Sequence, residues 1–495
     1  MLGVLHRNTA RGSAARKVNS YPNYYKIKPG YDITGCFLEE HNMNKIHNIR
    51  DYGAVGDGVT YDTAAIQRAV DTCFDNGGGE VVVPAGAYLT GDITLRSYVT
   101  LHLLSGAKLV GSRNTADYFN YRNDKYAPMN PDDINDEGWH RQNMGESNPG
   151  VRSRVQVSGC RWSNALIRAW DSENFAVIGE EGSVIDGMDC YDEMGEEGYR
   201  GPHGMSFYRC ENITLKGYTV QKTGNWAHNT VFCENIQVEG VTVLAGHDGI
   251  HMSGCSNIVI KNCNFYTGDD SIAGFGNLNV TVSGCEINSA CSAFRFGGTN
   301  MLVTNCHIFA PARYGFRGAM TPEDKASSSP SPTSGIRNNM LSAFTYYSDY
   351  SLPIEHQPGN IVMEDCKIEM ADRFLHFNFS GNERWQANRP ITDITFRNIK
   401  ADGISMPITA YGAADTPFKL SLENTDIVIR DGAEVSALVH ACNCESVKLR
   451  GVKLDGFNGD CLVRAWSDIP VKADVSGADC PAVKAAEIEF TAKPI

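Results

Sequence analysis

The apolar residues of this chain fall in short, mostly alternating runs and not at helical spacing. Through its middle they recur as Ile213–Leu215, Ile236–Val238, Ile258–Ile260, Val280–Val282 and Met301–Val303. Alternation over three to five residues marks a strand, and the Gly, Asn and Asp between the runs are turn formers. An asparagine stands directly before each run. Asn212, Asn235, Asn257, Asn279 and Asn300 are separated by 23, 22, 22 and 21 residues. Short strands repeating every ~22 residues without helices between them predict an all-β chain wound as a single-stranded, right-handed parallel β-helix of roughly ten or more coils. Asparagine at one turn of every coil is expected to stack, each amide bonding its neighbours above and below. A sandwich of antiparallel strands also has short strands and turns, but gives no reason to repeat one residue type in register.

Weaker copies of the pattern extend both ways, at Val99–Leu103 and Phe175–Ile178 upstream and at Ile361–Met363, Ile394–Phe396, Ile427–Ile429 and Val447–Leu449 downstream. One segment has helical spacing instead: after Asp62, the residues Ile66, Ala69, Val70 and Cys73 share a face, and Gly77–Gly79 ends the run. Asp62 is a suitable N-cap. A solenoid needs a cover over its first coil, so this helix is predicted to be the N-terminal cap. Two stretches break the period, 112–152 and 318–358, and are expected to be long loops. The first has aromatics including Tyr118, and the second has Tyr346 and Tyr347, which suits loops that wall a groove. The predicted organisation is an N-terminal extension over 1–46 and one β-helix domain over 47–495.

Cysteine keeps the same beat as asparagine: Cys210, Cys233 and Cys255, then Cys263, Cys285 and Cys306. The 16 cysteines therefore read as small apolar residues stacked in a repeating core, reduced and structural, and none forms a CxxC or a zinc spacing. Net charge is −14, which repels nucleic acid and anionic membranes, and no apolar run is long enough to span a bilayer. The first 17 residues have no apolar core of signal-peptide length, giving the expectation of a cytoplasmic protein.

Acidic residues cluster in two adjacent coils. Asp248 and the pair Asp269-Asp270 are 21 and 22 residues apart, one coil, so the three carboxylates should stack on one face. Like charges raise one another's pKa, which gives a general acid its proton at neutral pH while an ionised neighbour serves as base. Read from spacing alone, the same trio also suits a calcium site or a solvated turn.

Three segments bear on the choice: Ile49-Arg-Asp-Tyr-Gly-Ala-Val-Gly-Asp-Gly-Val-Thr60, Asp62-Thr-Ala-Ala-Ile-Gln67, and Gly77-Gly-Gly-Glu-Val-Val-Val-Pro-Ala-Gly86. Gly182–Gly187, Asn225-Trp226, Cys233–Ile236, His247–Ile250 and Gly268–Asp270 follow in order. Over roughly residues 47–310 the chain resembles glycoside hydrolase family 28, the polygalacturonase family, whose fold is the pectin lyase-like solenoid. The resemblance implies an inverting glycosidase needing no metal or other cofactor. Asp269 matches the general acid, and Asp248 and Asp270 match the carboxylates that hold and deprotonate the attacking water.

The departures bear on the substrate. The family's Asn-Thr-Asp reads Gly246-His247-Asp248 here, its Gly-His-Gly reads Ala290-Cys291-Ser292, and its Arg-x-Lys has no clean counterpart. His251, Ala273, Arg295 and Arg317 are each 22 residues apart and are expected to form one column beside the carboxylates. His247, His251, Arg295, Arg317, His228 and Asn229 are therefore the candidate substrate contacts, with a packing role open for His228 and charge neutralisation open for the arginines. The expected activity is exo-acting release of a terminal sugar from a pectin-related oligosaccharide or small glycoside. A polygalacturonase or rhamnogalacturonan hydrolase on polymer, a lyase or epimerase, and a non-catalytic carbohydrate-binding β-helix are the alternatives.

Overall fold

The structure, a computed structural model, describes residues 45–118, 164–192, 200–316, 337–347, 356–377, 390–466, 469–479 and the strand Lys484–Glu489. All of them lie in one compact unit, Phe37–Ile495. Most of the expected extension over 1–46, residues 119–152 of the first expected loop and Arg317 lie outside the described residues.

Strand follows strand with every ladder parallel. Glu211–Lys216 pairs with Glu234–Glu239, which pairs with Ser256–Lys261, so Ile213, Ile236 and Ile258 stand in one row. Among the described residues, 33 strands join one continuous sheet, and Ile408–Tyr411, Ala437–Cys442, Cys461–Trp466 and Lys484–Glu489 form a second. Each coil gives one strand to each of three columns. The first column contains Glu234–Glu239, the second Thr242–Leu244 and the third Ile250–Ser253. The expected parallel β-helix is the fold.

The asparagine column explains why one residue type recurs. Asn212, Asn235, Asn257, Asn279 and Asn300 all have φ between 56° and 60°, the left-handed region that asparagine tolerates and most residues do not. Their amides form the expected ladder. Asn235 Nδ2 donates to Asn212 Oδ1 at 2.9 Å, and Asn257 donates to Asn235 at 3.1 Å. Asn279 donates to Asn257 at 3.0 Å. The ladder also runs past both ends of the regular period, through Asn212 to Asn174 at 2.9 Å and through Asn360 to Asn300 at 2.8 Å. Inside the coils Cys210, Cys233 and Cys255 are buried free thiols, with the Cys210 and Cys233 amides each 3.4 Å from the next sulfur.

The helix Thr63–Asp75 buries Ala65, Ile66, Ala69, Val70 and Cys73 against the strands that open the solenoid. Burying Ile66 and Val70 stabilises this lid by roughly 2 kcal/mol each. Asp62 does not cap it by a side-chain bond; its carboxylate turns back to accept from the Val55 and Gly56 amides at 2.7 and 3.1 Å. Two loop expectations are corrected. Within 318–358, Met340–Tyr346 is a third-column strand that pairs with Ser292–Thr304 and Ala371–Phe377. Within 112–152, Tyr118 walls no groove; it is buried and donates to the Ser112 carbonyl at 2.7 Å.

Candidate active site

The carboxylates sit on the turn from the second column to the third. In one coil the chain leaves Thr242–Leu244, passes Asp248 and enters Ile250–Ser253. In the next it leaves Asn264–Thr267, passes Asp269 and Asp270 and enters the strand at Ile272. The coils are bonded through this turn, the Gly249 amide donating to the Asp270 carbonyl at 3.0 Å. A side chain at Gly249 would come within 2.5 Å of the Ser271 carbonyl, so only glycine allows this approach.

Buried hydroxyls hold the acidic pair in place. Thr267 Oγ1 and Ser289 Oγ both donate to the Asp269 carbonyl, at 2.8 and 2.7 Å. The Asp270 amide donates to Asp269 Oδ1 at 3.1 Å, and Asp270 Oδ1 accepts from the Ser292 amide at 3.0 Å. Burial pushes the Asp270 carboxyl up to about 6; Asp248 adds to this, while Arg295 and bonds from Cys291 and Ser292 oppose it. Burial and then the charge of Asp269 push Asp248 well above the usual carboxylate range, against Arg200 and Arg295.

Two guanidinium groups flank the trio. Arg295 Nη1 is 3.7 Å from Asp270 Oδ2, and Arg200 Nη2 is 3.8 Å from Asp269 Oδ2. Arg200 gave no signal in the sequence, because it belongs to no repeat. It is placed by an antiparallel bridge to Tyr191 and by its Nη1 donating to Asn225 Oδ1 at 3.2 Å. Trp226 stacks on His251, ring centroids 3.8 Å apart and planes 4° apart. His251 Nδ1 lies 2.9 Å from Asp248 Oδ2.

The third-column register fixes where each remaining candidate points. His251, Ala273 and Arg295 form one row, as expected, and Asn229 and Ser206 continue it into the preceding coils. The next member is Thr345, which occupies the position expected for Arg317. The break in the period inserts residues between coils, so counting by 22 lands on the wrong side chain. Asn229 is in the row and donates to Ser206 Oγ at 3.3 Å. His228 is one residue out of phase and pairs with Ile250, facing the core. Its Nδ1 donates to the Gly249 carbonyl at 2.9 Å, Tyr218 donates to its Nε2 at 2.9 Å, and burial lowers its pKa to about 4. It is a packing residue, not a groove residue. His247 is fully buried beside Asp248 in the chain.

Among the described residues, Asp269, Asp270 and Cys291 bring one ligand-type atom each to within 4.8 Å of one another. Desolvation and the neighbouring Asp270 and Asp269 keep the Cys291 thiol well above its usual pKa. Such a thiol donates to Asp270 and is a poor metal ligand. No helix among the described residues is long and apolar enough to cross a membrane.

Residues 46–144 match the family profile described as rhamnogalacturonase A/epimerase, pectate lyase-like, and residues 152–308 match that of glycosyl hydrolases family 28. Over 74 residues, 15% of this chain, the sequence is 53% identical to an exo-poly-alpha-D-galacturonosidase of Dickeya chrysanthemi, covering 12% of that protein. Over 198 residues, 39% of the chain, it is 27% identical to a probable polygalacturonase of Vitis vinifera, covering 36% of it. The chain thus spans between about an eighth and about a third of the length of these curated relatives. The solved exopolygalacturonase of Thermotoga maritima shares the fold, with a TM-score of 0.61 at 18% identity, over 84% of this chain and 94% of that one.

Proposed function

Because this chain belongs to the glycosyl hydrolases of family 28, we propose that it is an inverting, exo-acting glycoside hydrolase releasing a terminal sugar from pectin-related oligosaccharides. The observation that carries this reading is the three-carboxylate turn itself, with Asp248, Asp269 and Asp270 stacked between the cations Arg200 and Arg295. In this reading Asp269 protonates the glycosidic oxygen. Asp248 and Asp270 hold a water on the opposite face and take its proton as its oxygen bonds to the anomeric carbon.

Three carboxylates at such a turn repel one another, and burial strengthens the effect. This environment favours one retained proton among the three carboxylates near neutral pH; burial and the charge of Asp269 draw it toward Asp248, and the proposed reaction needs it on Asp269. Arg295, its side chain 29% exposed beside Asp270, can meet a uronate carboxylate there. The likeness to exo-acting galacturonidases over short stretches supports the exo mode and the acidic sugar.

Incubation with short oligogalacturonides and with long polygalacturonate tests the reading. Monosaccharide as the first product from both, with viscosity falling slowly, supports it. Rapid loss of viscosity with mixed oligomers and few monomers refutes the exo assignment in favour of an open, endo-acting groove.

A further inference from the structure

The roles carried over from the resemblance stop at the three aspartates, yet Asp248 does not stand alone. His251 Nδ1 lies 2.9 Å from its Oδ2, with both side chains 4% exposed. The imidazole is clamped, with Trp226 parallel to it at 3.8 Å and Phe275 edge-on at 6.1 Å and 82°. A ring stacked and buried in this way has little freedom to follow a ligand, and its fixed orientation aims one nitrogen at Asp248.

We propose that His251 is the positioning residue of the base, engaging one oxygen of Asp248 through a ring N–H and leaving the other for the attacking water. This rests on the hydrolase reading above. In the step it serves, a water O–H bond breaks and its proton passes to Asp248. The water oxygen bonds to the anomeric carbon, and the bond to the leaving oxygen breaks as that oxygen takes the Asp269 proton. Asp248 is faced by Asp269 and Asp270 from the next coil, by Arg295 from the coil beyond, by Arg200, and by His251 of its own coil. Burial and Asp269 favour the protonated form, which cannot act as a base. Arg200 and Arg295 oppose them from a distance; the His251 N–H adds a direct bond to the ionised form.

The test is the pH dependence of kcat/KM on a short oligogalacturonide for wild type, His251→Ala, His251→Asn and His251→Gln, with thermal midpoints alongside. His251→Ala should move the acidic limb upward by about one pH unit and lower kcat about 10- to 100-fold near pH 6, with KM changed by no more than about twofold. His251→Asn, whose amide nitrogen replaces Nδ1, should return the limb to near its wild-type position, whereas His251→Gln should not. Should the alanine variant fail to fold, the contrast between Asn and Gln still decides. An unmoved limb with a raised KM makes His251 a sugar contact and overturns the proposal alone. A wild-type protein that hydrolyses no glycoside overturns the hydrolase reading, and this proposal with it.

Discussion

The Arg295 guanidinium carbon lies 3.9 Å from the centre of the Tyr347 ring. Burial works against the cation, but Tyr347, Asp270 and Asp248 outweigh it and hold Arg295 above the usual arginine pKa. The stack keeps the charge beside Asp270 without a close two-pronged pair, which would tie up both carboxylate oxygens. Arg295→Gln removes the main cation holding Asp270 down, so the Asp270 pKa rises further above about 6. A base with a raised pKa loses its ionised form at higher pH. The acidic limb of kcat/KM should therefore move up by about one unit or more. Tyr347→Leu should move it in the same direction and less, a cation–π contact contributing about 1 kcal/mol. A pH profile of the three proteins checks the order.

Asp270 also sets a trade between activity and stability. Its folded pKa of about 6 lies above the ordinary 3.8, so the folded state binds the proton more tightly than the unfolded state. The resulting stability is fully present below the ordinary pKa and is lost as pH rises through about 6. Asp270→Asn keeps an oxygen to accept from the Ser292 amide and removes the buried charge. At pH 8 it should be more stable than wild type by on the order of 2 kcal/mol, with the difference vanishing near pH 4 and with turnover lost. Thermal melts across pH measure this directly.

The sequence made the coil legible through asparagine, because one turn of every coil needs a left-handed residue whose amide can bond to its neighbours. Asn174 and Asn360 belong to the same ladder but stand 38 and 60 residues from the nearest members, so no count by 22 finds them. The same effect misplaced Arg317: insertions lengthen the chain between coils without shifting the register, and Thr345 takes that position. His228 illustrates the parity of a strand, where one residue decides between core and site. The trio was legible because its members lie one coil apart in an uninterrupted stretch. Arg200 was not, since a bridge to Tyr191 brings it in from outside the repeat.

The ladder itself can be weighed at Asn257, which has φ 56°, donates to Asn235 and accepts from Asn279. Asn257→Ala loses both amide bonds and places a Cβ in the left-handed region, for a cost of about 2 kcal/mol. Asn257→Gly loses the bonds and keeps the backbone freedom, so about half that cost is expected. Chemical denaturation of the two variants should show this ranking, with activity on saturating substrate unchanged.

Asp269→Asn should fold as wild type and lose turnover of natural oligosaccharides, since its role is to protonate the leaving oxygen. The loss should shrink on aryl glycosides whose leaving groups need no proton. Kinetics against a series of leaving groups, with circular dichroism on the same samples, read both parts.

Hydrolysis by direct displacement with water inverts the anomeric carbon. Its most direct measurement is the configuration of the first product, followed by proton NMR as the enzyme cleaves a short α-linked oligogalacturonide before mutarotation sets in. The released sugar should show a β-configured reducing end, inverted from the α linkage, ahead of its α form. An α-configured first product, or an unsaturated uronide formed without uptake of water, would contradict it.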